Sequence, residues 1–380
     1  MKDKKQISRV GLLGLTFALF VGFFIIGKVI FFFFQNRDYG VVDYLKTIWA
    51  GLAMDASTTA YLSILPSLLF ICSIFFTKSL KSILRIYFLI ITFLLSLTVM
   101  ADAELYTYWG FRIDGTVFTY ITSPENAAAS TSVGRLIFLL ILILAFSALQ
   151  FFTFKKIIID NFPKEPSKKR TKVSLLFIPL LGLLFVVLRG GVTTSTMNIG
   201  RAYYCNDTFL NHSAINPLFS ILYSLSHMNQ NFDSKYKFME MEEAETIFTN
   251  LMSHDDKADT TRILNTQRPN IVFVILERFG RAVIEPLGGE KDVTPNLNKL
   301  IEEGVLFSNM YANSFRTDRG IVSVLGGYPA QPTMSILKYP SKVETLPSIP
   351  KSLFENGYNT SFTYGGDIHF AGMSTFFLSQ

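Results

Sequence analysis

The stretch RPNIVFVILERFG, residues 268–280, places six consecutive apolar residues, Ile271 to Leu276, directly ahead of one glutamate, Glu277. A run this short, rich in β-branched residues and bounded by Pro269 and Gly280, reads as a strand buried on both faces of a parallel sheet. Downstream, VTPNLNKLIEEGVLF predicts a helix with Thr294 as N-cap, Pro295 in the first turn and Gly304 as the stop. A second strand then runs over Val305–Tyr311. The scheme repeats in PSIPKSLFENGYNTSFTY, with a helix from Pro350, a stop at Gly357 and a strand over Tyr358–Tyr364. Alternating strands and helices predict an α/β, doubly wound sheet over 268–380. Ligands gather at the carboxyl ends of such strands, which here carry Glu277, then Asn313 and Thr317, then Asp367.

The rest of the chain is of another kind. Of 380 residues, 49% are hydrophobic and 17% charged, too apolar for one soluble domain. The apolar excess lies in five runs, Val10–Phe34, Tyr61–Phe76, Ile86–Ala101, Val133–Phe154 and Val173–Leu188. These predict a five-helix transmembrane bundle over 1–189, with short runs extended by snorkelling basic ends. Lys28, inside the first run, is expected to snorkel toward an interface. The first run is too long for a cleaved signal peptide. Residues 190–267 read as a linker with amphipathic helices lying against the membrane face. His212, His227 and His254 fall in it, and none is assigned to a site.

Charge orients the bundle. Three alternate segments, around residues 2–9, 78–85 and 155–172, hold 14 Lys and Arg against three acids. The opposite loops, Gln35–Ala60 and Asp102–Ser132, hold Arg37, Lys46 and Arg112 against seven acids. The positive-inside rule then puts the N-terminus in the cytoplasm and everything beyond Arg189 outside. The net charge of +6 is explained by this asymmetry and by anionic lipid on the inner leaflet, and implies no nucleic-acid partner. Cys72 and Cys205 lie in different environments, which leaves no disulfide and no cysteine-based zinc site.

A carboxylate directly after a buried strand is costly to desolvate unless compensated, and for Glu277 a divalent cation is the simplest compensation. A salt bridge to Arg278 or Arg281 fits Glu277 equally well. Thr317 opens RGIVSVLGG, a short helix whose free N–H groups and partial positive charge face whatever sits at its start. Coordinated to a metal held by Glu277, its hydroxyl becomes a nucleophile, with Arg316 and Arg319 placed for the oxygens of a phosphate or sulfate ester. By residue frequency alone, Thr317 or Asp318 is simply the helix cap.

Taken together, the five spans, the linker, RPNIVFVILERFG, TPNLNKLIEEGVLFSNMYANSFRTDRG and GYNTSFTYGGD resemble the lipoteichoic-acid-synthase-like membrane enzymes of the alkaline phosphatase and sulfatase superfamily. The resemblance implies that 268–380 are the N-terminal part of a catalytic domain in the bacterial cytoplasmic membrane, with its active face outside. By similarity Glu277 is a metal ligand, and Thr317 is both metal ligand and nucleophile, with Mn or Mg as the metal and Zn as an alternative. The implied activity is transfer of phosphoglycerol or a related group from a membrane lipid to a lipid or glycan acceptor. Sulfuric ester hydrolysis, phosphoethanolamine transfer and non-catalytic binding are the alternatives. Two departures stand out. The family's Asp-His pair has no counterpart here, so the chain reads as stopping partway through the sheet. In YGGDIHFAGM, Asp367 matches the family's aspartate and Phe370 stands for its tryptophan, whereas Gly365 replaces a histidine and the arginine is missing.

Overall fold

The computed structural model describes residues 7–115, 117–118, 132–228, 238–253, 264–277, 279–314, 316–331 and 334–380. It divides into two compact units, one formed by residues 1–229 with 321–380 and the other by 230–320.

Apolar helices dominate the first unit. Four are long and apolar enough to cross a membrane, α1 (Arg9–Gln35), α4 (Leu80–Trp109), α5 (Val133–Phe154, continued by a π-helical turn to Ile159) and α6 (Arg170–Arg189). A fifth crossing is formed if α2 (Val41–Leu62) and α3 (Ile64–Cys72), bent by 43° at Ser63, count as one span. In α1, Ser8 caps the start by accepting from the Gly11 N–H at 3.0 Å, and Asn36 stops it in the left-handed region at φ 44°. Phe20, Phe88 and Phe154 lock α1, α4 and α5 together, with Phe88 and Phe154 stacked 4.3 Å apart. The α2–α3 bend follows from Pro66, which lacks the N–H that would bond the Leu62 carbonyl. Tyr87 supplies the missing donor, its hydroxyl bonding Leu62 O from α4. Tyr87→Phe orphans that carbonyl and is expected to cost about 1–3 kcal/mol, read as a lower unfolding midpoint in detergent.

Two expectations about the spans are corrected. The second helix begins at Val41, twenty residues before Tyr61, so most of the expected loop Gln35–Ala60 is helical. Asp43 and Lys46 sit in its first turns, away from the apolar stretch, and Asp55 is buried. Lys28 does not snorkel: it is 2% exposed and ion-paired with Asp55, whose second oxygen accepts from Asn216 Nδ2 at 2.9 Å. Asp102 and Glu104 likewise belong to α4, where they pair with Arg112 and Arg135, each at 2.7 Å.

Residues 195–228, expected in the linker, pack onto the bundle through a 3-10 turn at Ile199–Ala202, α7 (Thr208–Ala214) and α8 (Pro217–Met228). His212 is buried there. The side chain of His227 and all of His254 lie outside the described residues. Gly51 permits the close approach of α2 to α7: a Cβ there would lie 2.2 Å from the Ala214 carbonyl oxygen and 2.6 Å from Lys28 Cε. Gly51→Ala must therefore push the two helices apart, with an expected loss of about 1–3 kcal/mol in the same unfolding measurement.

Residues 321–380 add a small core of Ile321, Val322, Leu325, Ile336, Leu337, Val343, Met373 and Phe376. It is built from the C-terminal part of α11 (Thr317–Gly326), a 3-10 turn at Ile336–Lys338, α12 (Pro340–Val343) and α14 (Met373–Ser379), while α13 (Ile349–Glu355) contributes no buried residue. Ser348 caps α13 by accepting from Lys351 N–H at 3.1 Å, and Gly357 follows it at φ 80°. The core joins the bundle's end through polar contacts. Ser374 Oγ donates to Gly200 O at 2.6 Å, and Ser195 Oγ and Asn198 Nδ2 donate to His369 O at 3.1 and 2.9 Å.

The second unit contains α9 (Met241–Met252) and α10 (Pro295–Glu303). Thr294 occupies the cap position of α10, but its hydroxyl bonds Val283 O at 2.8 Å instead of the helix.

The expected sheet differs most from the structure. Among the described residues there is no strand: 270–276, 305–311 and 358–364 carry no ladder. Ile271 to Leu276 are between 42% and 87% exposed. A strand is held by its neighbours' N–H and C=O groups, and no described segment pairs with this one.

Candidate active site

Glu277 ends the extended segment that begins at Ile271, and Thr317 is the first residue of α11. The first turn of that helix closes on Arg316 O, which accepts from Arg319 N–H at 3.1 Å and Gly320 N–H at 2.8 Å. Across forty residues of sequence, Thr317 Oγ1 lies 3.0 Å from Glu277 Oε1 and 2.9 Å from Oε2, donating its proton to the carboxylate. Both residues lie in the unit 230–320, although α11 itself continues beyond that unit's boundary. Arg278, one alternative partner of Glu277, is outside the described residues. Arg316 is exposed and adjacent to Thr317, and Arg319 sits one position beyond Asp318 in the same turn.

Asp367 and Phe370 belong to the other unit. Asp367 Oδ1 accepts from His369 N–H at 3.0 Å, while its buried Oδ2 has no hydrogen-bond partner. Phe370 opens a 3-10 turn and is 46% exposed. Burial, helped by the nearby Arg201 charge, pushes the His369 imidazole below its ordinary value of 6.5. The neutral form is thus the one the fold favours, so its contribution to stability is fully present above pH 6.5 and is lost as pH falls through the lower folded value. Hydrogen-exchange protection over 368–376, taken relative to the intrinsic exchange rate at each pH, is expected to fall between pH 7 and 5, and His369→Gln to remove that dependence.

Glu277 and Thr317 offer oxygen donors alone, which suits a hard cation such as Mg²⁺ or Mn²⁺ held by one or two protein groups with water and substrate oxygens completing the shell. Among the described residues no group of three or more His, Cys, Asp or Glu is placed to hold a metal. Two oxygen donors match the first ligands of a magnesium-type site, whereas a closed zinc site takes nitrogen and sulfur donors as well.

The Sulfatase family model matches residues 269–380. The "Ulvan-active sulfatase" of Formosa agariphila is 43% identical over 54 residues, 14% of this chain and 9% of that protein's length. No solved structure matches. Residues 269–380 thus match the sulfatase domain of the alkaline phosphatase and sulfatase superfamily. The helices that precede it are long and apolar enough to span a membrane, as in a membrane protein.

Sequence reasoning missed the polar groups inside the bundle's end. Tyr106 Oη and His212 Nδ1 lie 2.9 Å apart, His212 Nε2 and Glu344 Oε1 lie 2.7 Å apart, and Tyr203 Oη donates to the same glutamate. The available signal was the placement of Asp55, Asp102 and Glu104 in or at the edge of apolar helices, where an acid is rare without a partner.

Proposed function

We propose that this chain acts as a membrane-anchored ester transferase in which Thr317 attacks the phosphorus of a phosphoglycerol-type head group outside the cytoplasmic membrane. The observation that carries the reading is the Thr317–Glu277 contact at 2.9–3.0 Å. Glu277 holds the proton of the attacking hydroxyl and aims its lone pairs away from the carboxylate, as a positioned base does. A bond from Thr317 Oγ to phosphorus forms as the bond to the lipid alcohol breaks, and that alcohol leaves with a proton. A second hydroxyl, from a lipid or glycan acceptor or from water, then attacks phosphorus and releases Thr317. The N-terminus of α11 and the guanidinium of Arg316 favour the negative charge that accumulates on the ester oxygens, with Arg319 assigned the same task. A divalent cation of the Mg or Mn type, held by Glu277 and Thr317, would supply neutralisation of those oxygens and a lower hydroxyl pKa. Asp367 and Phe370 are assigned to the transferred group by similarity. The basic segments facing the inner leaflet set the orientation, and the apolar helices keep the site near lipid head groups.

Hydrolysis of a sulfate ester is the second reading, favoured by the similarity to the ulvan-active sulfatase. The two separate in a substrate panel assayed on the full chain with Mg²⁺ or Mn²⁺. Transfer of glycerophosphate from a phospholipid to an added alcohol supports the first, and release of sulfate from a sulfated glycan supports the second. Turnover of neither substrate by folded, metal-supplied protein would overturn both.

A further inference from the structure

On α2, Val42, Leu45, Trp49 and Ala53 recur every three or four residues, share one side of the helix and are all exposed, Trp49 to 78%. Tyr204, from the segment packed onto the bundle, stands beside this stripe and makes it one wall of an open groove of ≈ 470 Å³. The lining is Val42, Leu45, Lys46, Trp49, Ala50 and Tyr204. The Tyr204 wall is fixed: Thr47 Oγ1 gives its own proton to Asp43 O at 2.8 Å, so at 2.7 Å it accepts from the Tyr204 hydroxyl. Lys46 is the one charged residue in the lining. It is exposed and forms no ion pair among the described residues. Asp43, nearly one turn away, is directed elsewhere, its Oδ2 lying 3.5 Å from where a Cβ on Gly40 would stand at the start of the helix, a place where the helix dipole favours an acid.

Depth gives this groove its surroundings. The 27 residues of α1 span about 40 Å against a hydrocarbon core of about 30 Å, so the helix ends reach the head-group layers. Phe32, in the last turn of α1, packs on Tyr44 with ring centroids 4.4 Å apart, which puts Lys46 and the groove at that edge of the core. We infer that the groove binds one phospholipid with a monoanionic head group, its phosphate against Lys46 and an acyl chain between Trp49 and Tyr204. Snorkelling lysines and interfacial tryptophans are common at span ends; here a fixed apolar groove adjoins the cation, and the bilayer at this depth supplies an amphiphile of matching layout. One lysine answers one negative charge, whereas a zwitterionic head group brings an ammonium that competes with it. A second copy seated on the same stripe would bring two Lys46 side chains toward one axis with no acid in the lining to answer them.

The site shares no residue with Glu277 and Thr317, and binding needs no turnover. The chain has two tryptophans, Trp49 and Trp109. Trp109→Phe leaves Trp49 as the only indole, and Thr317→Ala in the same protein separates the result from the proposed reaction. The full chain in detergent micelles is titrated with phosphatidylglycerol or phosphatidylcholine brominated on the acyl chains, and Trp49 fluorescence is read. Half-maximal quenching is expected at a mole fraction of phosphatidylglycerol about fivefold below that of phosphatidylcholine, the scale of one lysine at an anionic lipid surface. Lys46→Gln is expected to remove that preference, and Leu45→Gln to weaken quenching by both lipids. Equal quenching by the two lipids, the mark of an ordinary lipid-facing indole, or a preference that survives Lys46→Gln overturns the assignment. So does emission that neither lipid quenches: a shift of that emission with protein concentration would give the groove to a second copy, and no shift would leave it to detergent.

Discussion

Thr317→Ala is expected to abolish turnover, by about three orders of magnitude or more, while leaving the fold intact. Residues that act as one catalytic unit lose nearly all activity when the nucleophile is removed. Thr317 tolerates the change structurally because its hydroxyl is bonded to an exposed carboxylate, not to a buried group, and exposed substitutions away from buried features cost little stability. Thr317→Ser keeps the hydroxyl and is expected to retain measurable turnover. Steady-state rates of the three proteins, with unfolding curves to show equal folding, make the check. Equal rates for wild type and Thr317→Ala would reduce Thr317 to the first residue of a helix.

The second large effect is on stability. Asp55→Ala leaves the ammonium of Lys28 in an apolar bundle at 2% exposure with its carboxylate gone. Removing one partner of a buried ion pair typically costs about 3–5 kcal/mol, because an uncompensated charge remains. Asn216 also loses the acceptor for its Nδ2. The double substitution Lys28→Met/Asp55→Leu removes both charges, and is expected to recover most of the loss. Unfolding midpoints in a single detergent measure all three variants, and a Lys28→Met/Asp55→Leu protein no more stable than Asp55→Ala would show that charge burial is not the cause.

The same pair explains what the sequence made legible and what it did not. Apolar run length found α1, α5 and α6 almost to their ends, because nothing but lipid-facing and core side chains lines them. It missed all of α2 but Tyr61 and Leu62, because Asp43, Lys46 and Asp55 interrupt the apolar count while leaving helical geometry untouched. Only a partner on another helix, Lys28, makes Asp55 compatible with burial, and such a pairing has no local signature. The run Ile271–Leu276 has the opposite history. Its composition favours a strand, yet strand formation depends on a neighbouring backbone, and the described residues provide none. At the candidate site, a glutamate after an apolar run and a threonine at a helix start were both visible locally. Their approach to 2.9 Å across forty residues is a tertiary fact.

The most direct test of a covalent role for Thr317 is intact-mass measurement of the full chain after incubation with Mn²⁺ and a phosphatidylglycerol, wild type beside Thr317→Ala. A mass increase of one glycerophosphate group in the wild type, absent in the variant, is the expected result. A folded, metal-supplied wild type that consumes the lipid with no adduct, and a Thr317→Ala protein that consumes it equally well, would contradict the assignment.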